Sequence, residues 1–372
     1  MNNIKLYLVA VLFLSVFGAC SNDPGADKKE IVVEAPKNVN ETLLLHDFIQ
    51  KRADVINDKT APHLVSADDV YFNLDNYLVI DIRSHDAYVD GHINGAVHVP
   101  KSELLHYMAT EANAGNYEKV VIACYTGQTA SFYASLLRLL GYGNVHPLKW
   151  GMAGWSKKIQ PNKWLKNISN EFASKVETKS NPKAPKAKYP EIKTGETSRY
   201  KILKARVQKV GDAGTKPVFV KFKDVKDHLS DYYIINYWPM DKYLMGHLPG
   251  AVQYTPKSSL SFDADLTTLP TDKPVLVYCF TGQHSSYVAA YLNVLGYDAK
   301  SLTYGANSFM NGKMKQGIGH AFSTDQINDY PVITGENPSN KKVVKTKTSV
   351  KNAPQKILPK KKKKKVEEEG GC

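Results

Sequence analysis

The amino-acid sequence predicts an α/β fold that is built twice along the chain, each copy a parallel β-sheet flanked by helices. Two nearly identical stretches carry this prediction, Ala123–Ser131 and Tyr278–Ser286, and both contain the pattern Cys-x-Thr-Gly-Gln. Each stretch follows a short aliphatic run and precedes apolar residues at helical spacing, which predicts a strand, a tight loop and a helix. With 372 residues, of which 42% are apolar, the chain can bury the cores of two ordinary domains.

The first residues have the pattern of an export signal, predicted for residues 1–19. A lysine is followed by an apolar run, Leu6–Phe17, that is too short to span a bilayer and ends in two small residues before Cys20. These small residues resemble a bacterial lipobox, which implies cleavage before Cys20 and lipid attachment to it. Residues 20–40 are polar and lack periodicity, so we expect a lipidated tether and an exported lipoprotein, anchored in a membrane and facing the periplasm or the cell surface. An ordinary signal peptide with an unmodified Cys20 is the alternative.

Residues 41–165 are predicted to form the first domain. Glu41–Ile56 has helical periodicity, and we expect it to pack on this domain as an additional helix. Ser66 precedes two acidic residues in the first turn of the next predicted helix and is expected to cap it. The aliphatic run Tyr77–Asp81 is predicted to be a buried strand. Strand and helix patterns then alternate as far as Trp155, as a compact parallel α/β unit requires.

Four landmarks in the first domain together resemble the rhodanese family. They are an Asp-x-Arg pattern, a Tyr-x-x-x-His-Ile-x-Gly-Ala turn, a Cys-x-x-Gly loop and a Gly-rich stretch ending in Trp, found at residues 81–83, 88–96, 124–127 and 150–155. The match runs from about Leu64 to Trp155, with Asn94 where the family usually has Pro. The resemblance implies two rhodanese-like domains and sulfurtransferase activity. It also leads us to expect that Asp81 and Arg83 support the loop through a buried or half-buried ion pair, and that His92 holds the turn.

A second copy follows a predicted linker at residues 166–197, which is rich in Lys, Pro, Ser and Asn. The second domain is predicted at residues 198–336. Tyr330–Glu336 nearly repeats Tyr189–Glu196, so the duplication extends past the α/β units. The rhodanese-like turn recurs in the second copy, but Asn236 and Trp238 stand where the first copy has its Asp-x-Arg pattern. Both copies retain the cysteine, and the second site is the weaker candidate.

The predicted nucleophiles are Cys124 and Cys279, each at the carboxyl end of a predicted strand. Ligands bind at this edge of a parallel sheet, and the N–H groups of the following helix favour a thiolate, so we expect a pKa lowered from about 8.5 to about 3.5–7.5. The residues predicted to form the two substrate-binding loops are Tyr125, Thr126, Gly127, Gln128 and Thr129 in the first domain, and Phe280, Thr281, Gly282, Gln283 and His284 in the second. Inert core cysteines are the alternative interpretation.

The predicted reaction is sulfur transfer through a cysteine persulfide. A thiolate in a nest of N–H donors can attack the outer sulfur of thiosulfate, a polysulfide or a persulfide, and a thiol or cyanide can then accept that sulfur. This chemistry needs no metal and no organic cofactor. Neither loop carries a fixed positive charge, so we expect thiosulfate to bind weakly and an Arg at Gln128 to lower its KM.

The sequence argues against one other enzyme class and leaves one non-catalytic class open. Phosphatases that share this fold need an arginine six residues after the cysteine, and Ala130 and Ser285 occupy those positions, which argues against phosphatase or arsenate-reductase activity. A non-catalytic binding or assembly module at the cell envelope remains the alternative function, above all for the second domain.

The formal net charge of +13 is concentrated near the end of the chain, where residues 341–365 contain twelve lysines. Residues 337–372 are predicted to be a disordered lysine-rich tail that could be attracted to anionic lipid. Export and the absence of interleaved aromatic residues argue against nucleic-acid binding. The tail ends in Gly-Gly-Cys, which makes Cys372 a candidate mobile sulfur acceptor, with an idle terminal thiol as the alternative.

Overall fold

A computed structural model describes residues 40–52 and 55–336 of the chain. The predicted export signal, Cys20, the tether as far as residue 39 and the lysine-rich tail with Cys372 lie outside the described residues. Within the described part, no helix combines the length and the apolar character that crossing a membrane would need.

The first half of the described chain contains one four-stranded parallel sheet. Its strands are β1 (Tyr77–Asp81), β2 (Val97–His98), β3 (Lys119–Ala123) and β4 (Val145–Pro147), in the spatial order β2-β1-β3-β4. The helices are α1 (Glu41–Arg52), α2 (Ala67–Phe72), α3 (His85–Asp90), α4 (Leu104–Thr110), α5 (Gln128–Leu140) and α6 (Met152–Trp155). Ser66 caps α2 as predicted, because its side chain accepts a hydrogen bond from the Asp69 N–H.

The second half repeats this arrangement in a five-stranded parallel sheet. Its strands are β5 (Phe219–Val220), β6 (Tyr233–Asn236), β7 (Val252–Gln253), β8 (Val275–Tyr278) and β9 (Ala299–Leu302), in the order β5-β9-β8-β6-β7. The helices are α7 (Arg199–Ala213), α8 (Phe222–Val225), α9 (Met240–Tyr243), α10 (Gln283–Val294) and α11 (Asn307–Lys313). In the first sheet, the counterpart of β5 is only the parallel bridge between Val65 and Leu148.

The strand register shows which positions of the two copies correspond. Asp81 pairs with Ala123 between β1 and β3, and Asn236 pairs with Tyr278 between β6 and β8. Asn236 therefore occupies the place of Asp81, as the sequence indicated. The predicted fold class, two parallel-sheet α/β domains flanked by helices, is confirmed.

The largest cluster of buried apolar residues in the described chain is continuous across the two domains. Helices α5 and α10 pack along each other, and buried residues of both, such as Phe132, Leu136 and Tyr291, belong to the same cluster as residues from the two sheets. Because α5 and α10 each begin at a cysteine loop, their contact brings the two loops together.

The leading helix of each copy makes contacts with the other copy. The expectation that Glu41–Ile56 would pack on the first domain is wrong: α1 ends at Arg52, and Gln50 of α1 donates to Asp263 of the second domain at 2.8 Å. Helix α7, which opens the second copy, packs on α5 of the first, and the Leu105 side chain of α4 lies close against Gly211 of α7. Helical periodicity gives the apolar face of a helix but not the surface that covers it.

The trailing segment of each copy also crosses to the other copy. Residues 169–187, within the predicted linker, lie along the second domain, and Glu177 pairs with His247 as an antiparallel bridge. Residues 323–336 lie along the first domain, where Ile333 pairs with His92 in the same way. Each rhodanese-like turn is therefore covered by the segment that follows the other copy.

Candidate active site

The first cysteine loop connects β3 to α5. Cys124 follows β3 directly, and Gly127 adopts the left-handed conformation that starts α5. The Cys124 Sγ accepts hydrogen bonds from the Gly127 N–H at 3.1 Å and the Ala130 N–H at 3.4 Å. The predicted nest of N–H donors is present, and it points at the sulfur.

The pKa of the Cys124 thiol differs from the expectation. Burial raises this pKa, and the N–H groups of Ala130, Thr126 and Gly127 lower it by less, while the Asp81 charge raises it further. The predicted fall in pKa is therefore wrong for Cys124. The sequence showed the N–H donors at the helix start but not the depth of burial, which leaves Cys124 only 3% exposed.

A tight turn at Trp150 and Gly151 supports this loop from below. Gly151 has φ +62°, and a Cβ at this position would lie 2.5 Å from both the Cys124 carbonyl oxygen and the Thr126 nitrogen. The next residue, Met152, donates its N–H to the Cys124 carbonyl at 2.8 Å. Only glycine fits at position 151, and the turn fixes the backbone that holds the nucleophile.

The Asp-x-Arg pattern forms the buried ion pair that the resemblance led us to expect. Arg83 Nη2 lies 2.6 Å from Asp81 Oδ2, and Arg83 Nε lies 3.0 Å from both carboxylate oxygens. The guanidinium also donates to the Gly91 carbonyl at 2.6 Å. The pair thus joins the end of β1 to the turn that contains His92.

His92 lies within that turn. Its ring stacks on Tyr88 with centroids 3.9 Å apart, and its Nδ1 lies 2.9 Å from the Tyr88 carbonyl oxygen. Both contacts are local to the turn. They match the predicted structural role and not that of a general base.

Tyr125, which follows Cys124 and is more exposed than the cysteine, defines what we call the mouth of the first site. It is half-buried, and its hydroxyl lies 3.0 Å from the Ser84 Oγ. Lys163 Nζ lies 5.0 Å from the Tyr125 ring centroid, and the Arg83 Cζ lies 5.8 Å from it. Sequence analysis missed Lys163, because this exposed residue follows the last rhodanese landmark and belongs to no motif.

The second cysteine loop is closed by aromatic rings. Cys279 is fully buried, and its Sγ accepts from the Ser285 N–H at 3.4 Å. Phe280 stacks on Trp238, with ring centroids 4.5 Å apart and planes within 9°, and the His320 ring centroid also lies 4.5 Å from that of Phe280. Trp238 therefore places an aromatic ring at the position that corresponds to Arg83 in the first domain.

Gln128 and Gln283, predicted to bind substrate, are instead buried between the two cysteine loops. Gln128 is 3% exposed, accepts the Tyr304 N–H at 2.7 Å and donates to the Thr126 hydroxyl at 3.0 Å. Gln283 is fully buried and donates to the Thr126 carbonyl at 3.4 Å. The assumption that Gln128 faces a bound substrate is wrong, because its side chain is buried in the contact between the domains. The lower KM for thiosulfate that was expected of an Arg at this position loses its structural basis and stays an untested prediction.

Of the other predicted loop residues, Thr126, Thr281 and His284 are buried, whereas Thr129 is half-buried. Burial lowers the pKa of His284 to about 3, so its imidazole is neutral at neutral pH. The ring packs edge-on against Tyr237, and neither ring nitrogen has a hydrogen-bond partner among the described residues. His284 therefore supplies no positive charge to an anionic substrate.

Tyr304 of the second domain also approaches the first cysteine. Burial raises the pKa of Tyr304 to about 12, and the negative charge of the Cys124 thiolate contributes to this rise. The Tyr304 hydroxyl accepts a hydrogen bond from Asn167 at 3.1 Å, and its ring packs edge-on against Trp164. The second domain thus forms part of the surroundings of Cys124.

Comparison with known proteins agrees with this geometry. The family model for the rhodanese-like domain matches residues 66–158 and 222–311. The thiosulfate sulfurtransferase GlpE of Pseudomonas fluorescens is 33% identical over 79 residues, which are 21% of this chain and 69% of that protein. The uncharacterized protein YibN of Escherichia coli is 28% identical over 89 residues, 24% of this chain and 62% of that protein. The chain belongs to the rhodanese family and carries two copies of its domain.

Among solved structures, the thiosulfate sulfurtransferase from Pseudomonas aeruginosa matches with 18% identity and a TM-score of 0.25, over 70% of this chain and 45% of that one. A superposition at this TM-score adds nothing to the family assignment, which rests on the family model and the sequence relatives.

Proposed function

We propose that the protein is a sulfurtransferase that moves sulfane sulfur from a thiosulfate, polysulfide or persulfide donor to a thiol or cyanide acceptor. The observation that carries this proposal is the pair of N–H groups, from Gly127 and Ala130, that point at the Cys124 Sγ. Membership of the rhodanese family and the similarity to GlpE support it.

The reaction begins when the Cys124 thiol loses its proton to solvent. The thiolate attacks the outer sulfur of the donor, so that a new S–S bond forms while the donor S–S bond breaks and its electron pair leaves with sulfite, a shorter polysulfide or a thiolate. The N–H groups stabilise the negative charge on Cys124 before the attack and on the persulfide after it. An acceptor nucleophile then takes the terminal sulfur, as thiocyanate or a new persulfide, and regenerates the thiolate.

Activity is proposed to depend mainly on Cys124. The stack of Trp238 on Phe280 closes the second site, whereas the first site has Tyr125 half-buried at its mouth. Cys279, predicted as a second nucleophile, would need these aromatic rings to separate before a donor could reach its sulfur.

The test is mass spectrometry of the full chain after incubation with thiosulfate or polysulfide, with Cys124→Ser and Cys279→Ser as the paired variants. We expect a gain of one sulfur at Cys124 that is lost only in Cys124→Ser. Loading of Cys279 alone would reverse the ranking of the two sites. If neither cysteine gains sulfur, the non-catalytic assembly module becomes the better function, and the closed second site is the observation that favours it.

The placement of the protein is a separate proposal that rests on the sequence. We propose export and membrane anchoring through a lipid on Cys20, as the signal-like residues 1–19 indicate. Cys20→Ala should move the protein from the membrane fraction to the soluble fraction. An unchanged distribution would contradict the lipid anchor.

We also propose Cys372 as an acceptor thiol. The chain that leads to it leaves the described residues at Glu336, whose carboxylate lies 2.6 Å from His85 Nε2 on the first domain. His85 follows Ser84, which contacts Tyr125 at the mouth of the site. After Cys124 is loaded, sulfur should appear on Cys372 at a rate that does not depend on protein concentration. Persulfide that stays on Cys124 would end this proposal.

A further inference from the structure

One side chain of the second domain reaches into the cysteine loop of the first. Gln283 starts α10, and its Nε2 lies 3.4 Å from the Thr126 carbonyl oxygen. Its amide lies directly on Gly127, where any Cβ would collide with it. Position 127 therefore requires glycine for two reasons: the left-handed backbone that starts α5, and the space that the Gln283 side chain occupies.

The carbonyl that Gln283 contacts belongs to the peptide unit that serves the nucleophile. The Thr126 carbonyl and the Gly127 N–H are the two ends of one planar peptide group. The Gly127 N–H donates to the Cys124 Sγ at 3.1 Å. A donor at the carbonyl end polarises the whole group and strengthens the hydrogen bond that its N–H end makes.

The surroundings make this relay effective. Gln283 is fully buried, and Thr126 is 8% exposed, so little water competes for the carbonyl. In a site of low polarity, a hydrogen bond is electrostatically stronger than it is in water. The contact also holds the peptide plane, because rotation that turned the N–H away from the sulfur would turn the carbonyl away from Gln283.

We propose that Gln283 is a positioning residue for Cys124, supplied to the first domain by the second. It holds the Thr126–Gly127 peptide with its N–H directed at the sulfur, and it strengthens that hydrogen bond in the thiolate and persulfide states. The effect on sulfur transfer rests on the proposed function, whereas the effect on the thiolate does not.

The first loop makes no equivalent hydrogen bond to the second loop among the described residues. Gln128 of the first loop accepts the Tyr304 N–H at 2.7 Å. In the described part of the chain it has no hydrogen bond to the Thr281–Gly282 peptide, which corresponds to Thr126–Gly127. The second loop therefore has a use that does not require Cys279. It carries a glutamine to the first site even though its own cysteine is closed off by Phe280 and Trp238.

The experiment measures how fast Cys124 in the full chain is alkylated by iodoacetamide as a function of pH, with the modified peptide quantified by mass spectrometry. Gln283→Met and Gln283→Leu remove the hydrogen-bond donor and replace it with an apolar side chain of similar size. We expect the pH midpoint of alkylation to rise by about half a unit and the rate at neutral pH to fall about threefold. The matched control is Ser286→Ala, another buried polar residue in the first turns of α10, and its midpoint should stay at the wild-type value.

Each result decides one question. An unmoved midpoint in a folded Gln283 variant, or an equal loss of rate at every pH, would overturn the proposal, because a merely structural role predicts those results. Thermal unfolding of each variant shows whether it is folded at the assay temperature, and the measurement is made below its unfolding midpoint. Sulfur loading is measured in parallel: a moved midpoint with no sulfur loading would support the positioning role and remove the proposed function.

Discussion

Two residue differences separate the surroundings of the two cysteines. In the first domain Asp81 and Arg83 form a buried ion pair, and the aromatic residue after the cysteine, Tyr125, is half-buried. In the second domain Trp238 replaces the arginine and draws Phe280 into a stack, which leaves Phe280 2% exposed. Closure of the second site thus follows from the exchange of a paired cation for an aromatic ring.

The raised pKa of Cys124 sets the direction of its pH dependence. Because the thiolate is the reactive form, loading from thiosulfate should rise about tenfold for each pH unit below the pKa. Since burial raises this pKa above the usual thiol value, the rate should still be rising at about pH 9. Loading rates measured by mass spectrometry from about pH 6 to about pH 10 would check this, and a plateau reached below about pH 8 would contradict it.

Lys163 is an exposed cation beside the first site, and it is expected to attract an anionic donor. Lys163→Met should raise the KM for thiosulfate about threefold and leave kcat nearly unchanged, because the charge lies at the mouth and not at the sulfur. The control is Lys166→Met, an exposed lysine in the same segment. Steady-state kinetics with cyanide as acceptor measure both variants, and equal KM values would exclude a role for Lys163 in donor binding.

At the scale of single elements, the strand, loop and helix around each cysteine depend on the turn that follows β4 or β9. Trp150 and Tyr304 adopt positive φ angles of 65° and 63°, and each precedes a glycine that lies under the cysteine loop. The backbone of both turns is therefore set by close packing beneath the loop.

Gly151→Ala should destabilise the protein by about 1–3 kcal/mol or more and reduce sulfur loading, since a Cβ at φ +62° would meet the backbone of Cys124 and Thr126. Gly143→Ala is the matched control, because a Cβ there has nothing within 4 Å. Denaturant unfolding compares the two variants. Similar stabilities would show that the loop can move away from the added methyl group.

The sequence was sufficient for elements whose pattern is local. β1 and β3 are aliphatic runs, Ser66 precedes a helical pattern, and the cysteine loops recur at the same place in both copies. It was not sufficient for the contacts of α1, the burial of Cys124 or the position of Gln128, because each depends on residues far away in the chain. The contact of Lys163 with Tyr125 also joins residues far apart in the chain, so the local pattern did not predict it.

At the scale of the whole molecule, the two copies exchange their flanking segments. Residues 323–336 contribute the Pro331 carbonyl that accepts the Trp155 Nε1–H at 2.9 Å, and Tyr330, which stacks on Tyr71 at 4.2 Å. The first domain is therefore incomplete without the segment that follows the second.

A chain that ends at Phe322 should accordingly unfold at a lower temperature than a chain that ends at Glu336. The shorter chain lacks the pairing of Ile333 with His92 and the contacts to Trp155, whereas the longer one loses only residues outside the described part. Calorimetry of both chains beside the full protein is the measurement. Equal unfolding temperatures for the two truncated chains would mean that the trailing segment does not stabilise the first domain.

The crossing of these segments also governs when the protein can finish folding during its synthesis. Domains generally fold in the order in which they leave the ribosome. Here the first sheet is synthesised early, but residues 323–336, which cover it, are synthesised only after the whole second domain. Until then the turn that contains His92 stays uncovered. Contacts between residues so distant in the chain raise the contact order and slow folding. The two copies, although alike in sequence, can therefore reach their final packing only together, after residue 336 has been added.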